Sequence, residues 1–139
     1  MAMMVRDVMT RNPVSCETTT TIVEAARTMR DHDIGDVLVC DGQQLRGIVT
    51  DRDIVVRCIA GGADVGRSTL GDVCTGNVMA VSPDSSLEDA ARTMRECAVR
   101  RLPVIEDGRT VGIVSLGDLA VEVDPRSVLA DISAAEPHV

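Results

Sequence analysis

The strongest constraint on the fold of this chain is an internal repeat. Shifting the sequence by 65 residues aligns residues 5–57 with residues 70–122 without a gap, and 16 of the 53 aligned positions are identical. The block at residues 25–30 returns letter for letter at residues 90–95. Because chance alone would match only a handful of positions, we interpret the chain as two copies of one structural unit.

The periodicity within each copy predicts helices and strands in a fixed order. In the first copy, an apolar stripe at i, i+3, i+4 and i+7 predicts a helix over residues 22–32. Thr21 and Glu24 are placed to form a capping box at its N-terminus. An apolar run at 37–40, a turn and a second strand at 45–49 predict a β-hairpin. The hairpin and helix together indicate a mixed α/β unit.

The other expected elements complete the order β-α-β-β-α in each copy. In the first copy they are a lead-in over residues 5–9, a strand over 14–16, and a helix over 51–60 with Ile54, Val55 and Ile59 facing inward. In the second copy they are a lead-in over 70–75, strands over 79–81, 102–105 and 110–114, and helices over 87–97 and 116–122.

One unit of about fifty residues has a marginal core, so the two copies are expected to pack on each other. We therefore predict an α/β fold made of two β-α-β-β-α motifs packed as a pseudo-two-fold pair. The expected boundaries are 5–60 for motif 1, 61–69 for a linker, 70–123 for motif 2, and 124–139 for a tail with a short helix.

The composition narrows the functional classes. The net charge is −8, and all fourteen basic residues are arginine. This charge disfavours a nucleic-acid partner, although it permits one small phosphate held by local donors. No run of eighteen apolar residues is present, so we expect no membrane segment. Because Phe, Tyr and Trp are absent, a flat ligand would lie between aliphatic side chains in this subunit.

The five cysteines are an odd number and contain no CxxC pair. Under the repeat offset, Cys16, Cys40 and Cys74 align with apolar residues. This pattern favours reduced, buried thiols and a cytoplasmic protein. A redox sensor at an exposed Cys58 or Cys97 is the alternative.

Groups that could catalyse a reaction or bind a metal are sparse. His32 and His138 are the only histidines, and neither has a Cys or Ser partner evident in the sequence. The Cys and His spacings fit no zinc motif. Asp51 and Asp53 could suggest magnesium, but Mg²⁺ generally also requires substrate phosphates. We expect a protein that is not an enzyme and requires no cofactor.

A glycine, two β-branched residues, a hydroxyl and a carboxylate three positions later recur at residues 47–53 and 112–118. The junction of a strand with a helix start exposes backbone N–H groups where an anion can bind. Thr50 can add a hydroxyl, Asp53 can accept from sugar hydroxyls, and Gly47 leaves room for a flat group. The same hydroxyl and carboxylate also fit a capping box that binds nothing, and both interpretations stay open.

The whole arrangement resembles a CBS-domain pair, also called a Bateman module. The resemblance covers nearly all of residues 5–123. The segments that carry it are DVMT at 7–10 before Pro13, the helix at 25–29, the strand at 37–39, the two glycine-to-aspartate patterns, and RRLPV at 100–104. TDRDIV at 50–55 also appears in small stand-alone CBS proteins of the hypoxic response type.

The resemblance implies an adenosine nucleotide, AMP, ADP or ATP, bound in clefts between the motifs. The nucleotide-binding residues carried over are Gly47, Thr50, Asp53, Gly112, Ser115, Asp118, Arg100 and Arg101. The hydroxyls and the arginines would contact phosphate, and the aspartates would contact ribose. The sequence leaves open which cleft the arginines serve, because the motifs interleave.

Gly35 and Asp36 occupy the positions that arginines occupy in the second copy. A carboxylate beside a phosphate is unfavourable, so we expect two unequal clefts. The expected function is a regulatory nucleotide sensor that forms a homodimer. The alternative is a ligand-free structural or stress-response dimer in which the motif residues only cap helices.

Overall fold

A computed structural model describes residues 3–74 and 78–123 of the chain. It divides into two compact units. The first-motif unit is Val14–Val78, and the second-motif unit combines Met1–Pro13 with Met79–Val139. Each unit thus contains the lead-in segment of the other copy. Residues 124–139, for which a short helix is expected, lie outside the described residues.

The elements follow the predicted α/β order. They are α1 (Val5–Val8), β1 (Thr10–Arg11), β2 (Ser15–Glu17), α2 (Ile22–His32), β3 (Asp36–Asp41), β4 (Gln44–Thr50), α3 (Asp51–Asp53), a π-helical segment (Ile54–Ile59), α4 (Leu70–Val73), α5 (Leu87–Cys97), β5 (Arg101–Glu106), β6 (Arg109–Ser115) and α6 (Leu116–Val123). None of the helices described is both long and apolar enough to cross a membrane.

The first-motif unit is built on a three-stranded sheet in the order β2-β3-β4. Strand β2 runs parallel to β3, which forms an antiparallel hairpin with β4. Helix α2 begins at Thr21, whose hydroxyl accepts the Glu24 N–H at 3.2 Å. Leu70, at the start of α4, is fully buried in this core, and its N–H donates to the carbonyl of Thr20 at 2.8 Å. The second lead-in is therefore part of the first unit's core.

The second-motif unit has a three-stranded antiparallel sheet in the order β1-β6-β5. The residues directly after the first lead-in supply its edge strand, since Thr10 pairs with Ile113 and Arg11 with Gly112. The core is aliphatic. Its buried residues are Val5, Val81, Ala90, Met94, Leu102, Val104, Val114 and Leu119.

The strand expected over residues 79–81 is reduced to a single parallel bridge between Val81 and Val104. The prediction of a strand was wrong because of Pro103. In the first copy, the N–H of Leu38 extends the equivalent pairing by donating to Val14 at 3.0 Å. Proline at the matching position has no N–H to donate, so the ladder cannot reach Met79.

The helix expected over residues 51–60 forms as α3 followed by the π-helical segment. Ile54 faces inward as predicted, but Val55 and Ile59 are 55% and 59% exposed. The π-type bonds span five residues, as in the donation from Ala60 N–H to Val55 at 3.0 Å. The buried residues of this segment are Ile54 and Cys58, four positions apart on one face.

The cysteines differ from the expected distribution. Cys58 is completely buried, which corrects the suggestion that it is an exposed redox sensor. Cys16, Cys40, Cys74 and Cys97 are partly buried rather than fully buried. Burial raises the pKa of the Cys58 thiol above its ordinary value, and it does the same for Cys16, Cys40 and Cys74. These four thiols therefore form thiolate less readily than a free cysteine.

Candidate functional site

Strand β6 ends at Ser115, directly before helix α6, and two side chains cap the helix start. The Ser115 hydroxyl accepts the N–H of Asp118 at 3.1 Å, and the carboxylate of Asp118 accepts the N–H of Ser115 at 2.8 Å. The next residue, Leu116, donates its N–H to the carbonyl of Arg100 at 2.8 Å. Hydrogen bonds therefore connect the end of β6, the start of α6 and Arg100, the residue before β5.

This cap leaves bonding capacity on both side chains. The serine hydroxyl acts only as an acceptor in the bond from Asp118, so its own proton is available to donate to an anion. The cap uses Oδ2 of Asp118, and a carboxylate has further lone pairs for sugar hydroxyls. Capping and ligand binding are therefore compatible at this junction.

The first-motif unit has the same junction at the start of α3. The Thr50 hydroxyl accepts the N–H of Asp53 at 3.1 Å, and Asp53 accepts the N–H of Thr50 at 2.9 Å. Asp51 donates its N–H to the carbonyl of Gly35 at 2.9 Å, as Leu116 does to Arg100. The backbone hydrogen bonding of the two junctions is thus alike, and the junctions differ in their side chains.

The second-motif unit contains a cleft of about 800 Å³ beside its junction. Four of the residues expected from the sequence line it together, namely Arg100, Arg101, Ser115 and Asp118. Its lining also includes Asp7 and Val8 from α1, and Leu116, Gly117, Val121 and Glu122 from α6. The structure therefore places the arginine pair at the cleft of the second glycine-to-aspartate pattern.

Asp7 and Glu122 are cleft residues that reasoning from the sequence missed. A signal for Asp7 was present, because the pair Asp7–Val8 recurs as Asp72–Val73 in the repeat. The sequence could not show that the first lead-in belongs to the second-motif unit. Glu122 has no such signal, since the aligned residue in the first copy is Arg57.

The two glycines of the pattern lie inside their sheets. Gly47 is buried in β4, opposite Val39. A Cβ on Gly112 would lie 2.8 Å from Sδ of Met9 and 2.8 Å from the carbonyl oxygen of Thr10. The glycine at 112 is therefore explained by the close approach of β1. Neither glycine is among the residues that line the cleft described above.

The two junctions differ in charge. Arg101 lies opposite Ser115 in the β-sheet register, and Asp36 occupies the same register position opposite Thr50. A Cβ on Gly35 would lie only 3.3 Å from a carboxylate oxygen of Asp51. The first-motif junction thus presents carboxylates where the second presents guanidinium groups.

The repeated strand–helix junctions agree with a comparison to known families. A family model described as "CBS domain" matches residues 5–59 and again residues 70–124. The chain belongs to the CBS domain family. The resemblance read from the sequence, a tandem CBS pair, is thereby confirmed.

CBS relatives match nearly the full length of the chain. Hypoxic response protein 1 of Mycobacterium tuberculosis is 35% identical over 130 residues, which are 93% of this chain and 91% of that protein. The crystal structure of Hypoxic Response Protein I with two coordinated zinc ions is also similar, with 37% sequence identity and a TM-score of 0.77. The match covers 84% of this chain and 96% of the chain in that structure. Within residues 3–74 and 78–123 of the present chain, no group of three or more His, Cys, Asp or Glu could hold a metal ion.

A second CBS structure contains ligands. The CBS domain pair of protein MJ0100, in complex with 5′-methylthioadenosine and S-adenosyl-L-methionine, is 26% identical to this chain. Its TM-score is 0.80, and the match covers 91% of this chain and 100% of the MJ0100 chain. The CBS pair fold thus accommodates adenosine compounds in that protein.

Proposed function

We propose that this CBS pair is a regulatory module that binds an adenosine nucleotide of the AMP or ATP type. The observation that carries this proposal is the convergence of Arg100, Arg101, Ser115 and Asp118 on one cleft. The guanidinium groups and the serine hydroxyl are donors suited to phosphate, and the carboxylate is an acceptor suited to ribose hydroxyls. The adenosine ligands bound by the CBS pair of MJ0100 support the same ligand class.

The proposed binding is unequal between the two motifs. Thr50 and Asp53 repeat the hydroxyl and carboxylate of the second junction, but Asp36 takes the place of an arginine. A phosphate there would meet a negative charge instead of a positive one. We expect one strong site for a phosphorylated adenosine in each chain, and calorimetric titration with AMP and ATP measures this directly. Two sites of equal affinity would contradict the inequality.

Absorbance gives an inexpensive first observation. The chain contains no Trp or Tyr, so the purified protein should absorb very little near 280 nm. A band near 260 nm would then come from a bound base, which mass spectrometry of the extracted ligand can identify. For a ligand bound with micromolar affinity, a hundredfold excess stabilises the fold by about 2.7 kcal/mol, which is visible as a higher melting temperature.

Matched aspartate variants test the proposed site. Asp118→Ala should weaken nucleotide binding by about 1.5–3 kcal/mol because a charged hydrogen bond to ribose is lost. Asp53→Ala removes the equivalent cap from the other junction and serves as the control, with a much smaller effect on the strong site. Loss of stability in Asp118→Ala without any loss of binding would contradict the proposal.

A second candidate function is a ligand-free structural or stress-response dimer. The observation that favours it is that both junctions already form complete capping boxes from Thr50 with Asp53 and Ser115 with Asp118. Under this proposal, purified protein carries no base and no adenosine nucleotide shifts its melting temperature.

We propose a homodimer under either function. The exposed apolar residues Val55, Val56 and Ile59 of the π-helical segment offer an apolar surface for a second copy. Light scattering on the eluting protein tests this, and a monomer at high concentration would contradict it. A regulatory role without catalysis and a cytoplasmic location remain predictions from the sequence.

A further inference from the structure

The first lead-in segment is fixed on the second-motif unit by several independent contacts. Val5 is completely buried, and its N–H donates to the carbonyl of Ser85 at 2.9 Å. The N–H of Arg6 donates to Pro83 at 3.0 Å, and the side chain of Arg6 pairs with Asp84. Helix α1 also contacts α6, which forms part of the cleft. These contacts give Asp7 a defined place at the cleft.

The carboxylate of Asp7 is also oriented. One of its oxygens accepts the N–H of Met4 at 2.8 Å. The residue is exposed to solvent, and it lines the cleft together with Arg100 and Arg101. Asp7 therefore places a negative charge in the same cleft as the groups proposed to bind phosphate.

The charges of the cleft set a limit on the phosphate it can hold. Its lining carries two guanidinium groups and three carboxylates, those of Asp7, Asp118 and Glu122. Asp118 is already assigned to the ribose in the proposed function. A single phosphate carries about −1.5 to −2 charges at pH 7, which the two arginines balance. Each further phosphate adds negative charge to a cleft that already contains Asp7 and Glu122, and no further arginine lines the described cleft to offset it.

We propose that Asp7, together with Glu122, is a specificity determinant that makes this cleft select an adenosine monophosphate over the triphosphate. The inference rests on the proposed nucleotide function and deepens it. The selectivity comes from repulsion of the additional phosphates, so the two carboxylates need not contact the monophosphate at all.

The test compares the dissociation constants of AMP and ATP for the full chain. Titrations are made by calorimetry at low ionic strength without Mg²⁺, because salt and divalent cations screen the repulsion. The variant is Asp7→Asn, which removes the charge but keeps an oxygen that can accept the Met4 N–H. The matched control is Asp72→Asn at the same repeat position, where the carboxylate accepts the Thr69 N–H at 2.9 Å.

The wild-type protein should bind AMP more tightly than ATP. In Asp7→Asn, the ratio of the ATP constant to the AMP constant should fall by about two- to fivefold, the range expected for one exposed charge interaction. The ratio should stay unchanged in Asp72→Asn, which makes the same change in net charge in the other unit. Glu122→Gln should lower the ratio in the same direction, and it provides the test if Asp7→Asn does not fold.

The outcomes separate this inference from the function on which it rests. Binding of neither nucleotide to the wild-type protein would overturn the nucleotide function and the selectivity together. Binding of both, with the same ratio in wild type, Asp7→Asn and Glu122→Gln, would overturn the selectivity alone. An equal fall in Asp72→Asn would also overturn it, because the effect would then come from net charge.

Discussion

Replacing Gly112 by alanine should displace β1 from the sheet of the second-motif unit. The new Cβ would lie 2.8 Å from Sδ of Met9 and 2.8 Å from the carbonyl oxygen of Thr10. The methionine side chain can move, but the carbonyl belongs to the backbone of β1. Overpacking of this kind costs about 1–3 kcal/mol, so the free energy of unfolding should fall by that amount.

The assay is urea unfolding followed by circular dichroism, because the chain has no Trp or Tyr for intrinsic fluorescence. Gly66→Ala is the control, since a Cβ there would meet only an oxygen of the flexible Asp64 side chain at 3.4 Å. Its effect should stay within about 0.5 kcal/mol. A Gly112→Ala protein as stable as the wild type would refute the packing argument and, with it, the pairing of β1 with β6.

Further predictions concern the core, the helix cap and the thiols. Leu102→Ala, at a residue 1% exposed, should lower the free energy of unfolding by about 2–5 kcal/mol in the same urea assay. Ser115→Ala should lower it by about 1 kcal/mol, because α6 loses its cap. Burial raises the pKa of Cys16 and Cys58 above the ordinary 9.0, so the unfolded chain loses these protons at a lower pH than the folded chain. Thermal melts should therefore show stability falling as pH rises above about 9, and alkylation of the native protein should reach buried Cys58 last.

The local structure could be predicted where one segment supplies its own signals. Helices Ile22–His32 and Leu87–Cys97 begin and end at the predicted residues, because an apolar stripe and an N-terminal hydroxyl define each of them. The strand expected at residues 79–81 failed because the obstacle, Pro103, lies in its partner. The missing donor becomes visible only when the two segments are paired.

The candidate site was predictable in the same partial way. The repeated pattern named Ser115 and Asp118 as candidates, and the family resemblance added Arg100 and Arg101 without assigning them to a cleft. The structure supplied that assignment, because all four residues line one cleft. Asp7 was missed because it is 93 positions before Arg100 in the sequence. Its place at the cleft depends on the exchange of lead-in segments, which no local pattern encodes.

The exchanged lead-ins also determine the order in which the protein can assemble during synthesis. The first-motif unit can close only after Leu70 has left the ribosome. Thr10 and Arg11 must wait longer after their synthesis, because their strand partners Ile113 and Gly112 are made much later. Pairing over such a separation slows folding. A truncation of the first dozen residues would therefore damage the later half of the protein and spare most of the earlier half.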